Sequence, residues 1–281
     1  DEQGTLQRSS WFAQLESSLG SVYLPWERWL MQHPRCKAVF PRDPLTAAVL
    51  KRWHIPAFDL GNPMMDGLDP QGMKFQADDD RLTLCLLPGS RTPEAYENWQ
   101  TILQAAAGVQ QAFTPQKLLF LAAIAPGLDL GLLQQRLKAQ GWQFLNDSPA
   151  PTWTQGTATL VLTSAFNDCL HQADLAIAMS GTATEQFVGL GKPAITLPGK
   201  GPQFTFAFAE AQTRLLGISV VLATSPAAVA QEVQLLLHNA PRLQQIRQNG
   251  ERRMGRAGAA QRIATCLHQV LGSEGIQKGE N

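Results

Sequence analysis

Two short polar turns carry the residue types that could do chemistry in this sequence. The first is Pro88-Gly89-Ser90-Arg91, directly after the apolar run Leu82-Thr83-Leu84-Cys85-Leu86-Leu87. The second is Ser180-Gly181-Thr182-Ala183-Thr184, directly after Leu175-Ala176-Ile177-Ala178-Met179. In both, small residues let a ligand approach the backbone closely. Ser and Thr hydroxyls can cap a following helix, and the free N–H groups and positive dipole end of that helix suit a phosphate. Gly89 gives access, Ser90 can donate from its hydroxyl or backbone, and Arg91 can grip a phosphate bidentately. Glu185 and Gln186 stand one turn into the second helix, where a carboxylate or amide could hold a ribose hydroxyl. Each turn alone also reads as an ordinary capped α/β turn, and Arg91 as a surface arginine at a helix start. A third patch, Gly199–Gln212, adds Lys200 and a possible base or sugar ligand in Gln203, while Phe204, Phe206 and Phe208 read as packing residues.

The elements that must position these turns alternate. Strands are expected at 82–87, 117–123, 159–162, 175–179, 194–197 and 218–222, and helices at 94–111, 128–140, 167–172, 185–190, 204–215 and 226–238. Thr92 and Pro93 fit the cap and first position of the helix at 94. That alternation predicts an α/β fold with a doubly wound parallel sheet, in which ligands bind beyond the carboxyl ends of the strands. Both turns lie at such ends. Residues 37–63 read as one further β-α-β unit, with Asp43 capping a helix from Pro44. Tyr23, Trp26 and Trp29 have the spacing of a helix face and read as core. Residues 1–20 read as a disordered or peripheral lead-in with one amphipathic piece, Trp11-Phe12-Ala13-Gln14-Leu15. Residues 64–80, with the Asp78-Asp79-Asp80 run, read as a solvated linker. A long C-terminal helical region from Pro241 to about Leu271 is interrupted at Gly255 and Gly258.

Composition narrows the class. The chain has 281 residues, enough for two domains. Its net charge of +0 argues against a nucleic-acid protein held by bulk electrostatics. No apolar run approaches the roughly 20 residues of a membrane span. The four cysteines are scattered without metal-type spacing, and read as reduced thiols of a cytoplasmic protein. No GxxxxGK[ST] loop, GxGxxG fingerprint or GxSxG elbow is present. His54 and His171 read as structural, and no nucleophile or catalytic base presents itself. The start at Asp1 reads as that of a fragment or processed chain, with no secretory leader in view.

Taken together, LPGSR (Leu87–Arg91), SGTAT (Ser180–Thr184) followed by GLGKP, and RMGxxGAxxRIA (Arg253–Ala264) resemble lipid-A-disaccharide synthases, and most closely the lipid-A-disaccharide synthase-related proteins. GNPMMDGL (Gly61–Leu68) is similar to that family's GHPxxD segment. Gln186 stands where the synthases carry an acid, with Glu185 one place earlier, and Asn62 stands where they carry a histidine. The resemblance implies a GT-B fold of two Rossmann-like domains. Residues 1–63 would be the tail of an N-terminal acceptor domain, 64–80 a linker, 81–240 the UDP-sugar-binding domain and 241–281 a helical region and tail. It implies a UDP-sugar as donor substrate, with no metal and no further cofactor. Gly89, Ser90 and Arg91 would meet the diphosphate, Ser180, Gly181, Thr182, Ala183 and Thr184 would cradle it, Glu185 or Gln186 would reach the ribose, and Gln203 the base or sugar. It implies a glycosyltransferase moving an N-acetylglucosamine-type sugar to an acceptor of glycolipid kind, with peripheral contact at the inner face of a membrane and no nucleic-acid partner. Its general base would lie in the N-terminal half. A UDP-sugar 2-epimerase of the same fold and a non-catalytic nucleotide-sugar sensor are the alternatives.

Overall fold

A computed structural model describes residues 23–75, 81–146, 150–202 and 204–277. The lead-in at 1–20, the Asp78–Asp80 run and Gln203 lie outside them. The chain divides into two compact units, 68–250 and 1–67 with 251–281.

The larger unit is built on one eight-stranded sheet. Its strands are β1 (Leu82–Leu87), β2 (Leu118–Ala123), β3 (Gln143–Asn146), β4 (Thr152–Gln155), β5 (Ala158–Thr163), β6 (Leu175–Ala178), β7 (Ala194–Thr196) and β8 (Val220–Leu222). The spatial order is β3-β4-β5-β2-β1-β6-β7-β8. From β5 to β8 every pairing is parallel. β1 and β2, LTLCLL and LLFLAA, are buried along their whole length, as continuous apolar strands covered on both faces must be. Numbered among themselves in chain order, the parallel strands run 3-2-1-4-5-6. Their topological switch point falls between β1 and β6.

The unexpected part of the sheet is its edge. β3 and β4 pair antiparallel with each other and β4 with β5, so the sheet is mixed rather than wholly parallel. β3, QFLN, is exposed at all four residues. It shows no alternation or buried run from which a strand could be read.

The helices of this unit are α3 (Glu94–Phe113), α4 (Leu130–Ala139), α5 (Phe166–Gln172), α6 (Thr182–Gly189), α7 (Phe206–Leu216), α8 (Pro226–Leu237) and most of α9 (Ala240–Met254), preceded in the other unit by α1 (Pro25–Met31) and α2 (Pro44–Arg52). Trp99, fully buried on α3, donates from Nε1 to Leu133 O of α4 at 3.3 Å and anchors those helices over the sheet. Residues 68–75 are not a free linker. Asn167, Asp168, His171 and Gln172 of α5 hold them by their backbone: Asp168 Oδ1 accepts from Gln71 N and Gly72 N, Gln172 Oε1 accepts from Phe75 N, and Asn167 Nδ2 donates to Asp69 O. His171 Nε2 lies 2.8 Å from Leu68 O, the structural use expected of it.

In the smaller unit the expected β-α-β reduces to α2, capped by Asp43, and a single parallel bridge between Val39 and Ala57. Trp26 and Trp29 are not core: they are 60% and 67% exposed. Arg28 is the buried member of α1, with its guanidinium 4.0 Å from the Trp53 ring centroid. Stacking on an aromatic face lets a guanidinium replace an apolar side chain there. The break expected at Gly255 and Gly258 separates α9 from α10 (Ala259–Gln277). Asp66 accepts from the N–H groups of Gly258, Ala259 and Ala260 at the start of α10. Arg262 donates to Leu60 O, Arg256 O and Ala257 O. The C-terminal motif is therefore a clasp between the Gly61 turn and α10. Among the described residues no helix is long and apolar enough to cross a membrane.

Candidate functional site

Both chemical turns leave the carboxyl ends of β1 and β6, the neighbours that flank the switch point. Gly89 has φ +91°, and a Cβ there would lie 3.3 Å from Met179 O. Only glycine combines that backbone with so close an approach. Asn98 of α3, 3% exposed, ties the turns together: its Nδ2 donates to Pro88 O at 3.1 Å and to Met179 O at 3.2 Å. Ser90 and Arg91 follow on the exposed side. The helix after them starts at Glu94, with Pro93 rather than Thr92 in the cap position and no side-chain cap.

α6 begins at Thr182, earlier than expected, with Gly181 as its N-cap and no side-chain cap. The hydroxyls expected to cap it are turned elsewhere. Thr184 Oγ1 donates to Ser180 O at 2.6 Å and lies 3.1 Å from Ser180 Oγ. Among the described residues, the N–H groups of Thr182, Ala183 and Thr184 have no acceptor. Three such groups at the positive end of a helix make a candidate anion cradle. Glu185 is buried at 8% exposure and Gln186 is half-buried, and both are already engaged.

A residue absent from the expectations holds the cradle from the far side. Gln212 of α7, 4% exposed, donates from Nε2 to Ser180 O at 3.1 Å and Gly181 O at 3.2 Å. Two carbonyl partners require the NH2 group there, which leaves Oε1 as the other, buried atom, with no partner among the described residues. The only trace of Gln212 in the sequence is a polar side chain on the inward stripe of an amphipathic helix. Gly199, Gly201 and Phe204 join the same place. Phe204 N donates to Glu94 Oε1 at 2.6 Å, Gly199 N donates to Phe204 O at 2.8 Å, and a Cβ on Gly201 would overlap Glu94. A side chain at 201 would have to displace the Glu94 carboxylate that holds Phe204 N.

Lys192, in the GKP segment after the cradle, is not aimed at a ligand. Its Nζ donates to Leu170 O, His171 O and Ala173 O and closes the C-terminal end of α5. Burial pulls its pKa down, and Asp174 opposes that shift. Cys85 and Cys169 are buried thiols. Burial pushes Cys85 well up, and burial with Asp168 pushes Cys169 to about 12; neither is a ready nucleophile. Cys36 and Cys266 are half-buried. Among the described residues no three His, Cys, Asp or Glu side chains gather as metal ligands would.

No family model matches the chain. It is similar to the lipid-A-disaccharide synthases of Trichlorobacter lovleyi (26% identical over 77% of this chain and 58% of that protein) and Syntrophotalea carbinolica (23% identical over 84% and 61%). The chain thus spans about six-tenths of the length of the curated relatives it matches. Its fold is like that of the UDP-GlcNAc 2-epimerase from Neisseria meningitidis solved with UDP-GlcNAc, with a TM-score of 0.54, 14% identity, and coverage of 89% of this chain and 67% of that one. The α/β GT-B-like fold expected from the motifs is the fold observed.

Proposed function

We propose, from this kinship with lipid-A-disaccharide synthases, that the chain carries the donor-binding part of a glycosyltransferase. It would use a UDP-sugar of N-acetylglucosamine type and an acceptor of glycolipid kind. The observation that carries the reading is the pair of turns at the switch point. Asn98 joins them across β1 and β6, and the cradle opens three first-turn N–H groups of α6. A sheet of this order binds nucleotides at that point.

In the reaction, the acceptor oxygen forms a bond to the sugar's anomeric carbon. The bond from that carbon to the diphosphate oxygen breaks, and UDP leaves with the electron pair. Charge builds on the departing diphosphate. The N–H groups of Thr182, Ala183 and Thr184 would meet it without reorganising, and Arg91 would add a positive charge from the facing turn. The acceptor's proton would go to a general base expected in the N-terminal half of the whole protein. The ribose would fall to Glu185 or Gln186, of which Gln186 is the more exposed. The reading needs no metal.

Calorimetric titration with UDP, UDP-N-acetylglucosamine and NAD tests it. Micromolar binding of the uridine ligands and none of NAD is expected, with roughly a tenfold or larger loss in Arg91→Ala. Absence of uridine binding would leave both turns purely structural. The likeness to the epimerase fold keeps a second reaction in play, and release of a free 2-epimerised sugar without any acceptor would select it.

A further inference from the structure

The 204–208 segment ends in aromatic surface that the core does not use. Phe208, in the first turn of α7, is 42% exposed, yet it is fixed from several sides. Its Cζ lies 3.5 Å from where a Cβ on Gly181 would stand, so the ring leans on the N-cap of α6. Behind it is Phe204, 5% exposed, with ring centroids 5.2 Å apart and planes inclined at 52°. Phe204 is itself locked through Glu94 and Gly199. Thr205 Oγ1 accepts from Phe208 N at 3.2 Å. One turn further, Gln212 on the same helix face grips the Ser180 and Gly181 carbonyls. A single exposed phenylalanine needs no explanation. A braced ring that touches the N-cap of an open anion cradle is a different object, because its ordering cost is already met before a ligand arrives.

We propose that Phe208 is the platform on which the sugar ring of the UDP-sugar packs, and that it discriminates UDP-sugar from UDP. The proposal rests on the donor-site reading above. A hexose presents an apolar C–H face as well as hydroxyls, and that face packs on an aromatic ring. Phe208 carries no charge and no hydrogen-bonding group, so it adds nothing to diphosphate binding. With the nucleoside running along α6 past Gln186, the phosphate that bears the sugar is the one beside Gly181 and the Phe208 ring.

The test titrates the 281-residue chain, Phe208→Ala and the bulk-retaining Phe208→Leu with UDP and with UDP-N-acetylglucosamine. Both variants should hold UDP within about twofold of wild type and lose roughly five- to tenfold for the sugar nucleotide. Retained UDP binding also shows that the variants are folded. Equal loss for the two ligands, loss for neither, or a wild type that gains nothing from the sugar overturns the platform and leaves the donor site standing. A wild type that binds neither ligand overturns the donor-site reading and the platform together.

Discussion

Asn98 is the residue on which the geometry of the candidate site turns. It is a neutral amide in a buried position, and it serves the carbonyls of Pro88 and Met179 at once. Truncation leaves two carbonyls without their donor at a cost of about 1–3 kcal/mol. Asn98→Ala should therefore lower the thermal midpoint and weaken UDP binding by about tenfold, because the two turns lose their common tie. A variant with a lowered midpoint and undiminished UDP affinity would show that the tie stabilises the fold without setting the cradle. Gly89 and Gln212 act with Asn98 but by other means. The glycine permits the approach of backbone to backbone, and the glutamine holds the cradle's own carbonyls.

Elements carry a second kind of evidence, in how their ends are closed. α6 leaves its first-turn amides open, whereas α10 has its own closed by a carboxylate, and only the open end suits a ligand. Partial burial alone pushes the Asp66 pKa up. The N–H groups of Ala260, Gly258 and Ala259, with Arg262, outweigh that and hold it below its ordinary 3.8. A carboxylate with a depressed folded-state pKa contributes stability that is present above the unfolded value and lost as pH falls through the folded one. Asp66→Ala should thus cost about 1–2 kcal/mol near neutral pH. Its difference from wild type should shrink as pH drops below 3.8. Denaturant melts of both proteins across that range check it, and a difference independent of pH would rule out the charged cap. Lys192 closes α5 in the opposite sense, with a cation at carbonyls, so its place beside the cradle in sequence reflects helix capping rather than ligand chemistry.

For the whole molecule, the division into 68–250 and 1–67 with 251–281 makes ligand-linked stability informative. A ligand that binds only the native state stabilises it by RT ln(1 + [L]/Kd), about 2.7 kcal/mol at a hundredfold excess over Kd. UDP at that excess should raise the unfolding transition that involves the 68–250 unit by roughly 5–10 °C. Asp66→Ala should act on the other unit, with its UDP affinity unchanged. Scanning calorimetry with and without UDP checks both, and coincident effects on one transition would mean that the two units unfold as one.

Much of the candidate site was legible in the residues themselves. Apolar runs of six and five residues, followed by Pro-Gly-Ser-Arg and Ser-Gly-Thr, announce parallel strands with polar turns at their ends, because burial on both faces and close backbone approach each select residue types locally. The parallel strand set, the helices between the strands and the break after Met254 follow from the same local preferences. Tertiary structure alone decided the rest. An amide such as Asn98 or Gln212 has no periodicity or motif, and its role exists only once Pro88, Met179, Ser180 and Gly181 are brought to it from distant positions. The same holds for the exposure of Trp26 and Trp29, the burial of Glu185 and the short edge strands β3 and β4. Hydrophobic pattern states how apolar a side chain is. Which neighbours are present to cover it, or to pair its backbone, is set by the assembled sheet and the helices laid on it.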